Sequence, residues 1–481
     1  MLKLWSIRGR NRSAKPMFGN SPPKTPVESD ETTKSAEVFA IGIGECGSNI
    51  VGSYLQSSRD KKLPSRVRGY LLINTDRADL TKVRQKYGIP KENTLLYGAS
   101  EIGVGGRFMD GYNSIMESKD IIFDQLGNLG FEGVSGFCIF TSLGGGTGCG
   151  GTPALIELLK QRFQEEEGRR IFVYVIGILP FEGQSSEALN SIWAVSKLLR
   201  AQLQERGADL TILLSNRTML KRILQWRKGD TVDYLQRELE VDIADIDSIE
   251  TMVPSTLEES TAANARTEQA FVELVNPLAL DVVEAMLSPG VWEKSKDVFP
   301  TTDLADYARK LDPVVVPALY TDIGLIPDAG SMPKQLKAMI DYAVRECSYA
   351  DVGEEPNAES VYYVMSGPRH VAKAEFGMHL KEALDKFIAP GAAITPCYVQ
   401  YLTQEDSNTN LLLLLGLPKI PELVQIINEA TQLVNLHSGA SPLKQGWFMR
   451  SKGTTRKELV DAINDFRELF SYYMTPGESL E

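Results

Sequence analysis

The stretch of sequence that decides the fold is residues 142–151, which read Ser-Leu-Gly-Gly-Gly-Thr-Gly-Cys-Gly-Gly. It follows an apolar run over residues 136–142 that predicts a buried strand, and it precedes an amphipathic pattern that predicts a helix over residues 153–165. We expect Pro153 at the start of that helix, where its missing amide proton costs nothing. Successive glycines let backbone amides approach an anion closely, and Thr147 adds a hydroxyl. The array therefore suits a polyphosphate, and it is not a Walker A loop because the chain has no GxxxxGKS or GxxxxGKT pattern.

Two more glycine-rich loops occur earlier in the chain. Residues 42–49 read Gly-Ile-Gly-Glu-Cys-Gly-Ser-Asn and come at the end of an apolar run that predicts a strand. Residues 103–106 read Gly-Val-Gly-Gly, with Gly111 following, and could close over a terminal phosphate. Taken alone, residues 42–47 form a GxGxxG pattern that also fits an NAD-linked oxidoreductase or a plain strand–helix turn. The oxidoreductase alternative leaves residues 144–150 unexplained.

The spacing of apolar residues predicts an α/β fold. Strands that are nearly all apolar alternate with helices from residue 37 onward, which indicates a parallel sheet covered on both faces, followed by a second α+β domain. The predicted strands cover residues 38–44, 70–76, 136–142, 171–179, 209–214, 314–320, 360–365, 394–400 and 410–415. The predicted helices cover residues 48–57, 153–165, 187–205, 268–287, 333–347, 373–387, 421–436 and 454–473.

These patterns divide the chain into five regions. A basic tail, expected to be disordered, covers residues 1–36, and a first domain covers residues 37–267 with a charged insertion at 218–258. A central helix and its following loop cover residues 268–300, the second domain covers 301–437, and a linker with an amphipathic helix covers 438–481. A sharper alternative for the tail is that residues 1–7 form an amphipathic foot on an anionic membrane.

Composition excludes several classes of protein. The 481 residues carry 51 Lys and Arg against 63 Asp and Glu, and this net charge of −12 argues against nucleic-acid binding as the main role of the surface. The five cysteines are dispersed without a CxxC pair, which indicates reduced thiols and not a disulfide framework or a zinc site. All three histidines fall in the last quarter, so chemistry in the first two thirds would not be histidine-based. With no apolar run long enough to span a membrane and no secretory signal, the sequence predicts a cytoplasmic protein.

The three glycine loops together resemble those of the tubulin/FtsZ GTPase superfamily, and the resemblance extends over residues 37–420. Residues 144–150 are similar to the superfamily signature, residues 74–76 resemble the second nucleotide loop, and residues 180–183 look like the ribose loop. The resemblance implies a GTP-binding domain at 37–267, an activation domain at 301–437 and a divergent prokaryotic FtsZ/CetZ-like or tubulin-like protein. The residues that it assigns to binding of GTP or GDP are Gly44, Glu45, Cys46, Gly47, Asn49, Asn74, Asp76, Gly103, Gly105, Gly106, Gly144, Gly145, Gly146, Thr147, Gly148, Glu182, Asn216, Phe271 and Asn276.

Roles within the implied site differ along the chain. Glu182 would accept hydrogen bonds from the ribose, Asn216 and Asn276 would read the base edge, and Phe271 would stack on the base. The open alternatives are that Phe271 packs in the core and that Asn276, which precedes Pro277, is a helix N-cap. Mg²⁺ would be held mainly by phosphates and water, with no certain protein ligand.

Hydrolysis would depend on a neighbouring subunit. The segment Thr-Asp-Leu-Ala-Asp-Tyr at 302–307 resembles the FtsZ synergy loop, whose two acids, here Asp303 and Asp306, enter the nucleotide site of the next subunit. Two carboxylates at this spacing can orient a water for in-line attack, although a helix cap with a first-turn acid is the plainer alternative.

The resemblance therefore implies a cytoskeletal GTPase that binds GTP–Mg²⁺ and assembles head to tail as a homopolymer. A non-hydrolysing guanine-nucleotide scaffold or regulator of the same family is the alternative, and membrane or adaptor contact through the tail is a further expectation. Three departures from FtsZ stand out: Ser186 replaces a ribose-loop arginine, Thr301 replaces a synergy-loop asparagine, and residues 475–481 lack the FtsZ partner-recruiting peptide.

Overall fold

The computed structural model describes residues 36–60, 66–203, 206–226, 262–288, 304–323, 332–367, 374–400, 409–417, 419–438 and 455–473. Within the chain, residues Ala36–Glu481 form one compact unit. Several predictions lie outside the described residues: the basic tail with its membrane foot, most of the charged insertion, Asp303, and the linker before the last helix. The five-region division of the chain stays a prediction.

Within the described residues, the scaffold is one ten-stranded sheet in the order β3-β2-β1-β4-β5-β6-β7-β10-β8-β9. All pairs from β3 to β7 are parallel, β10 is antiparallel to both β7 and β8, and β8 is parallel to β9. The strands are β1 Val38–Ile43, β2 Val67–Asn74, β3 Thr94–Leu96, β4 Gly136–Ser142, β5 Phe172–Leu179, β6 Leu210–Ser215, β7 Val314–Ile323, β8 Ala358–Gly367, β9 Ile388–Gln400 and β10 Thr409–Gly416. The predicted second domain thus continues the sheet of the first.

Helices cover this sheet and join its strands. They are α1 Gly44–Asp60, α2 Arg77–Tyr87, α3 Phe108–Glu117, α4 Lys119–Asn128, α5 Gly146–Lys160, α6 Ser185–Leu203, α7 Asn216–Trp226, α8 Ala262–Met286, α9 Tyr307–Lys310, α10 Met332–Glu346, α11 Ala374–Leu384, α12 Pro421–Ser438 and α13 Arg456–Tyr473. Strand β3 and helices α2, α3 and α4 were not predicted from the sequence.

Both faces of the parallel part of the sheet are buried, as the uniformly apolar strands predict. Phe39 and Ile41 of β1 join one hydrophobic core, while Val38 and Ala40, which alternate with them, join the other. Every residue of β5 is buried. This alternation between two cores follows from the twofold period of a strand.

Three predicted helix starts are wrong. Helix α1 begins at Gly44 and not at residue 48. Helix α5 begins at Gly146, so Pro153 is its eighth residue and not part of its first turn. The chain becomes helical directly after Gly145, because glycine at the N-cap lets the loop amides become the first-turn amides. Likewise α8 begins at Ala262, so Asn276 lies inside the helix and the N-cap alternative for it is excluded.

Packing explains why α8 continues through Pro277. Val275, Ala279, Val282 and Val283 are buried along one face, and this apolar stripe outweighs the local preference of proline to end a helix. Helix α7 shows the same principle within the predicted charged insertion: Leu220 and Ile223 have helical spacing and are buried, so residues 218–223 belong to the packed fold.

The last two helices pack on the outside of α6. Both α12 and α13 contact α6, and Leu459 and Phe466 of α13 belong to the same hydrophobic core as the residues of α6. In the part of the chain that the structure describes, none of the helices combines the length and hydropathy needed for a membrane span.

Candidate functional site

The polar and glycine-rich loops of the first half of the chain meet at one edge of the sheet. Strands β1, β2, β4, β5 and β6 are parallel, so the loops that follow them lie together at the carboxyl ends. A methyl group added at Gly44 would lie 3.5 Å from the Gly148 amide nitrogen. The N-termini of α1 and α5 therefore lie side by side. The hydroxyls of Thr75 and Thr147 are 2.7 Å apart and join the loop after β2 to α5. The edge therefore concentrates helix N-termini, where anions bind.

The first glycine loop is the start of α1. Gly44 has φ of 71°, a left-handed conformation that favours glycine, and a side chain at Gly47 would overlap the Phe140 carbonyl oxygen. Asn49 Nδ2 donates to the Glu45 carbonyl oxygen at 3.0 Å, and Lys82 Nζ lies 3.3 Å from Glu45 Oε1. Burial, together with the Glu45 carboxylate, raises the pKa of Cys46 to about 12, so this thiol is neutral near pH 7 and does not repel an anion.

The second glycine loop combines close packing with open space. A methyl group at Gly144 would meet the Glu187 Cβ at 2.9 Å, and one at Gly148 would meet the Ser142 carbonyl oxygen at 2.6 Å. By contrast, a methyl group at Gly145 would have no atom within 4 Å. Gly145 is the N-cap of α5 and has an extended backbone with φ of −76° and ψ of 163°. The N-terminus of α5 thus faces a space that a ligand can occupy.

The third glycine loop lies against the other two. Gly103 N donates to the Thr75 carbonyl oxygen at 3.0 Å, and a methyl group at Gly103 would lie 3.3 Å from Asp76 Oδ2. A methyl group at Gly146 would meet the Arg107 amide nitrogen at 2.8 Å, so α5 and the third loop are in direct contact. Methyl groups at Gly105 and Gly106 would point into open space. The structure thus brings together the residues predicted for phosphate binding.

Asn74 and Asp76 shape the loop after β2. Asn74 is buried, and its Oδ1 accepts from the Asp76 amide at 3.1 Å. Asp76 caps α2 by accepting from the Ala78 and Asp79 amides at 2.8 and 3.1 Å. One of the two residues therefore holds the turn and the other begins the helix, as N-cap aspartates do.

Asn190 was missed by the sequence analysis. It lies on α6 and is 1% exposed, and its Nδ2 donates to the Gly144 carbonyl oxygen at 2.7 Å and to the Gly106 carbonyl oxygen at 3.1 Å. One amide group therefore ties the second glycine loop to the third. No local sequence pattern predicts the role of this residue, because its hydrogen-bond partners lie 46 and 84 positions away in the sequence.

We expect Asn190→Ala to destabilise the fold by roughly 1–3 kcal/mol, since a buried carbonyl oxygen of Gly144 and a partly buried one of Gly106 lose their donor. It should also weaken binding of any ligand held between the two loops. Thermal and urea unfolding measure the first effect. Asn113→Ala, which removes an exposed asparagine of α3, is the matched control, and equal stability of the two variants would contradict the assigned role.

Acidic side chains lie beside the first glycine loop. Burial is the main cause that raises the pKa of Asp79 to about 6; the carboxylates of Glu45 and Asp76 raise it further, and Lys82 opposes the shift. Within the described residues, no group of three His, Cys, Asp or Glu side chains is arranged to hold a metal ion.

The shifted pKa of Asp79 predicts a dependence of stability on pH. Between the ordinary pKa of 3.8 and the folded value of about 6, the folded protein binds more protons than the unfolded chain, so stability falls as pH rises through this window. Asp79→Asn should therefore raise the Tm of the nucleotide-free protein at pH 7.5 by a few degrees, with a smaller gain at pH 5. Asp120→Asn, an exposed first-turn acid of α4, is the control. A gain for Asp79→Asn that does not change with pH would contradict the assignment.

The residues predicted for sugar and base binding lie in three places. Glu182 follows the carboxyl end of β5, Asn216 follows the carboxyl end of β6, and Phe271 and Asn276 belong to α8. Arg217 Nε is 3.1 Å from Glu182 Oε2, and Asn216 is the first residue of α7. Helix α7 packs on α8, which carries Asn276 as a half-buried residue. The backbone of Phe271 is helical, but its side chain lies outside what the structure describes, so its predicted stacking role stays untested.

Asp306 lies at the opposite edge of the sheet from the glycine loops. The segment around it contacts the start of β5: the Tyr174 hydroxyl donates to the Leu304 carbonyl oxygen and accepts from the Ala308 amide at 3.2 Å. Because β5 ends at Leu179, about 16 Å of strand separates this contact from the carboxyl edge. Asp306 is half-buried and lies 3.6 Å from Lys310 Nζ. Of the two predicted catalytic acids, the structure describes this one, and it is not brought to the glycine loops of its own chain.

Comparison with known proteins gives a consistent family. Residues 37–223 match the Tubulin/FtsZ family, GTPase domain. The tubulin-like protein CetZ1 of Haloferax volcanii is 32% identical over 143 residues, covering 29% of this chain and 34% of that protein. The tubulin-like protein CetZ of Thermococcus kodakarensis is 27% identical over 200 residues, covering 38% and 48%. The chain thus aligns with about a third to a half of the length of these curated relatives.

Solved structures extend the similarity of fold beyond the matched domain. CetZ2 of Haloferax volcanii, solved as a GTPγS-bound protofilament, superimposes with a TM-score of 0.59 at 16% identity and covers 84% of this chain and 99% of that one. CetZ1 of the same organism, solved as a GDP-bound monomer, gives a TM-score of 0.59 at 19% identity and covers 82% and 99%. Residues 37–223 therefore match the GTPase domain of the tubulin/FtsZ family, and the chain shares the fold of the CetZ structures over most of its length.

Proposed function

We propose that this protein binds GTP–Mg²⁺, polymerises head to tail into protofilaments and hydrolyses GTP at the contact between subunits. The observation that carries the proposal is the arrangement of the described residues on the two edges of the sheet. The glycine loops and the N-termini of α1 and α5 converge at the carboxyl ends of the parallel strands, which we call the carboxyl edge. Asp306 lies at the amino ends of these strands, the amino edge. A subunit built in this way has a nucleotide site at one end and an acid for hydrolysis at the other.

The residues at the carboxyl edge fit a nucleoside triphosphate. The open space in front of Gly105, Gly106 and Gly145 accepts phosphate groups, and the amides of the α1 and α5 first turns are the donors to them. The Thr147 hydroxyl, now paired with Thr75, adds a further group. Phosphate is therefore bound mainly by backbone amides, so a net charge of −12 does not oppose the proposal.

A divalent cation fits beside these loops in the same proposal. Burial, with the nearby carboxylates of Glu45 and Asp76, raises the pKa of Asp79, and these three acids would repel a polyphosphate unless positive charge were added. Bound Mg²⁺ would supply that charge and stabilise the negative charge that develops on the phosphates. Held mainly by phosphates and water, it would need no group of three protein ligands.

Assembly follows from the separation of the two edges. Asp306 cannot reach a nucleotide bound by its own chain across about 16 Å of strand, but it can reach the site of the next subunit. Such a contact joins two different surfaces, and contacts of that kind repeat into open filaments. The CetZ2 structure, described as a GTPγS-bound protofilament, supports the proposal from a protein with the same fold. Since the ligand is GTP, we place the filament in the cytoplasm.

Nucleotide content tests the binding part of the proposal. The purified full chain is denatured, and the nucleotides that it releases are identified by chromatography. A separate sample of folded, nucleotide-free protein is titrated with GTP, GDP, ATP and NAD⁺. We expect guanine nucleotides to be retained and preferred. Preference for NAD⁺ would overturn the proposal in favour of a dinucleotide enzyme, and guanine nucleotide that is bound but never hydrolysed would favour a scaffold of the same family.

A further inference from the structure

Helix α12 carries three polar residues on one face that all point toward the loops following β5 and β6. They are Glu422, Gln425 and Glu429, spaced by three and four positions as one side of a helix requires. We call them the α12 polar stripe. The helix lies near the end of the chain, 203 positions or more beyond the loops it contacts, and no motif connects the two.

Glu422 is the most constrained residue of the stripe. Its side chain is buried, and its oxygens accept from the hydroxyls of Ser215 and Thr218, each at 2.8 Å, and from the Asp351 amide at 3.2 Å. Ser215 Oγ accepts in turn from the Thr218 amide at 3.2 Å and so caps α7. A carboxylate buried with three donors fixes these groups strongly, because leaving it unpaired would be costly. Glu422 therefore sets the first turn of α7, which begins with Asn216.

Gln425 and Glu429 continue the contact toward the ribose loop. Gln425 Oε1 accepts from Arg217 Nη1, while Arg217 Nε lies 3.1 Å from Glu182 Oε2. Glu429 accepts a backbone hydrogen bond from Gly183 and also faces Arg217 and Glu182. Arg217 is thus held between α12 and the ribose loop, because different nitrogens of its guanidinium group interact with Gln425 and with Glu182.

We propose that α12 is a positioning element for the sugar and base end of the nucleotide site, acting through Glu422 on Asn216 and through Gln425 on Arg217 and Glu182. This inference rests on the proposed function. Recognition of the nucleoside part of the ligand then depends on the docking of α12, whereas binding of the phosphates at α1 and α5 does not. By linkage, a bound nucleoside stabilises the docking of α12 in return.

The experiment separates the two ends of the ligand in the full-length protein. Dissociation constants for GTP and for inorganic tripolyphosphate are measured for the wild type and for Glu422→Gln and Gln425→Leu. We expect the ratio of GTP affinity to tripolyphosphate affinity to fall at least about tenfold in both variants, as for the loss of one charge-assisted hydrogen bond. Tripolyphosphate affinity should stay within about twofold of the wild type, since Glu422 and Gln425 contact Ser215, Thr218 and Arg217 at the nucleoside end of the site.

Two variants on the same helix control the measurement. Asn428→Ala removes an exposed side chain of α12 and should leave the ratio unchanged, and Gln425→Glu keeps an oxygen acceptor for Arg217 and should restore it. Hydrogen exchange gives an independent readout: GTP, but not tripolyphosphate, should slow exchange in residues 421–438. If Glu422→Gln fails to fold, the half-buried Gln425 decides the outcome.

Three results would overturn the inference. An unchanged ratio in Gln425→Leu, with normal GTP binding, contradicts the role of α12 and leaves the proposed function intact. An equal loss of GTP and tripolyphosphate affinity shows a purely structural role. A wild type that binds no guanine nucleotide, or binds GTP no more tightly than tripolyphosphate, removes the proposed nucleoside recognition and the inference with it.

Discussion

Replacing Gly145 by valine is expected to lower the affinity for GTP roughly hundredfold, the equivalent of losing about two charge-assisted hydrogen bonds. Gly145 is the N-cap of α5, and a methyl group there would meet no atom within 4 Å beyond its neighbours in the chain, so valine projects into the space in front of the α5 amides. The extended backbone at this position suits a β-branched residue. The Tm should therefore change by no more than a few degrees, the cost of a poorer N-cap. Competition with a fluorescent GTP analogue measures the affinity.

Gly127→Ala is the matched control. Gly127 lies in α4, and a methyl group there also meets no atom within 4 Å. Alanine at this helical position should leave GTP affinity unchanged and stabilise the fold by about 0.5–1 kcal/mol. Wild-type GTP affinity in Gly145→Val would show that the N-terminus of α5 does not bind the phosphates, and the proposed site would then be wrong.

Asp306→Asn is expected to slow phosphate release from the assembled protein at least about hundredfold while GTP binding and assembly persist. The amide keeps the shape of the carboxylate but can neither accept a proton nor polarise water in the same way. Lys310→Met is the control, since it removes the neighbouring cation at 3.6 Å and leaves the carboxylate in place. It should retain hydrolysis, because the Asp306 carboxylate that acts on water is unchanged. Phosphate release is followed by a coupled assay above the assembly concentration.

Mixing variants tests whether the acid serves a neighbouring subunit. Asp306→Asn subunits can bind GTP but lack the acid, and Gly145→Val subunits have the acid but bind GTP poorly. An equimolar mixture that pellets together should recover up to about a quarter of the wild-type rate, since half of the subunits hold GTP and half of their neighbours supply Asp306. A mixture no more active than the two variants alone, despite co-assembly, would contradict a shared site.

Much of the fold could be predicted because the parallel sheet has a strong local signal. Strands β1, β4 and β5 are almost entirely apolar, and each precedes a turn rich in glycine or polar residues. Parallel pairing then places those turns at one edge, so the meeting of Gly44, Thr147 and Gly103 follows from topology. The exact helix starts did not follow, since a glycine-rich loop and the first turn of a helix have similar sequences.

The parts that could not be predicted depend on contacts between distant residues. Asn190 ties two glycine loops, and Glu422 reaches Ser215 across 207 positions; neither residue has neighbours in sequence that reveal its partner. Pro277 is compatible with α8 because the helix buries a long apolar face, which a local rule for proline does not consider. In these cases, tertiary packing outweighs local preference.

The central claim is that GTP is hydrolysed where one subunit meets the next, and the rate of phosphate release per subunit tests it most directly. The rate is measured with GTP and Mg²⁺ over a range of protein concentrations, with sedimentation of the same samples. We predict almost no release below a threshold concentration, and a rate per subunit that rises together with the pelleted fraction above it. A rate per subunit that stays constant through dilution, with no link to assembly, would contradict the account.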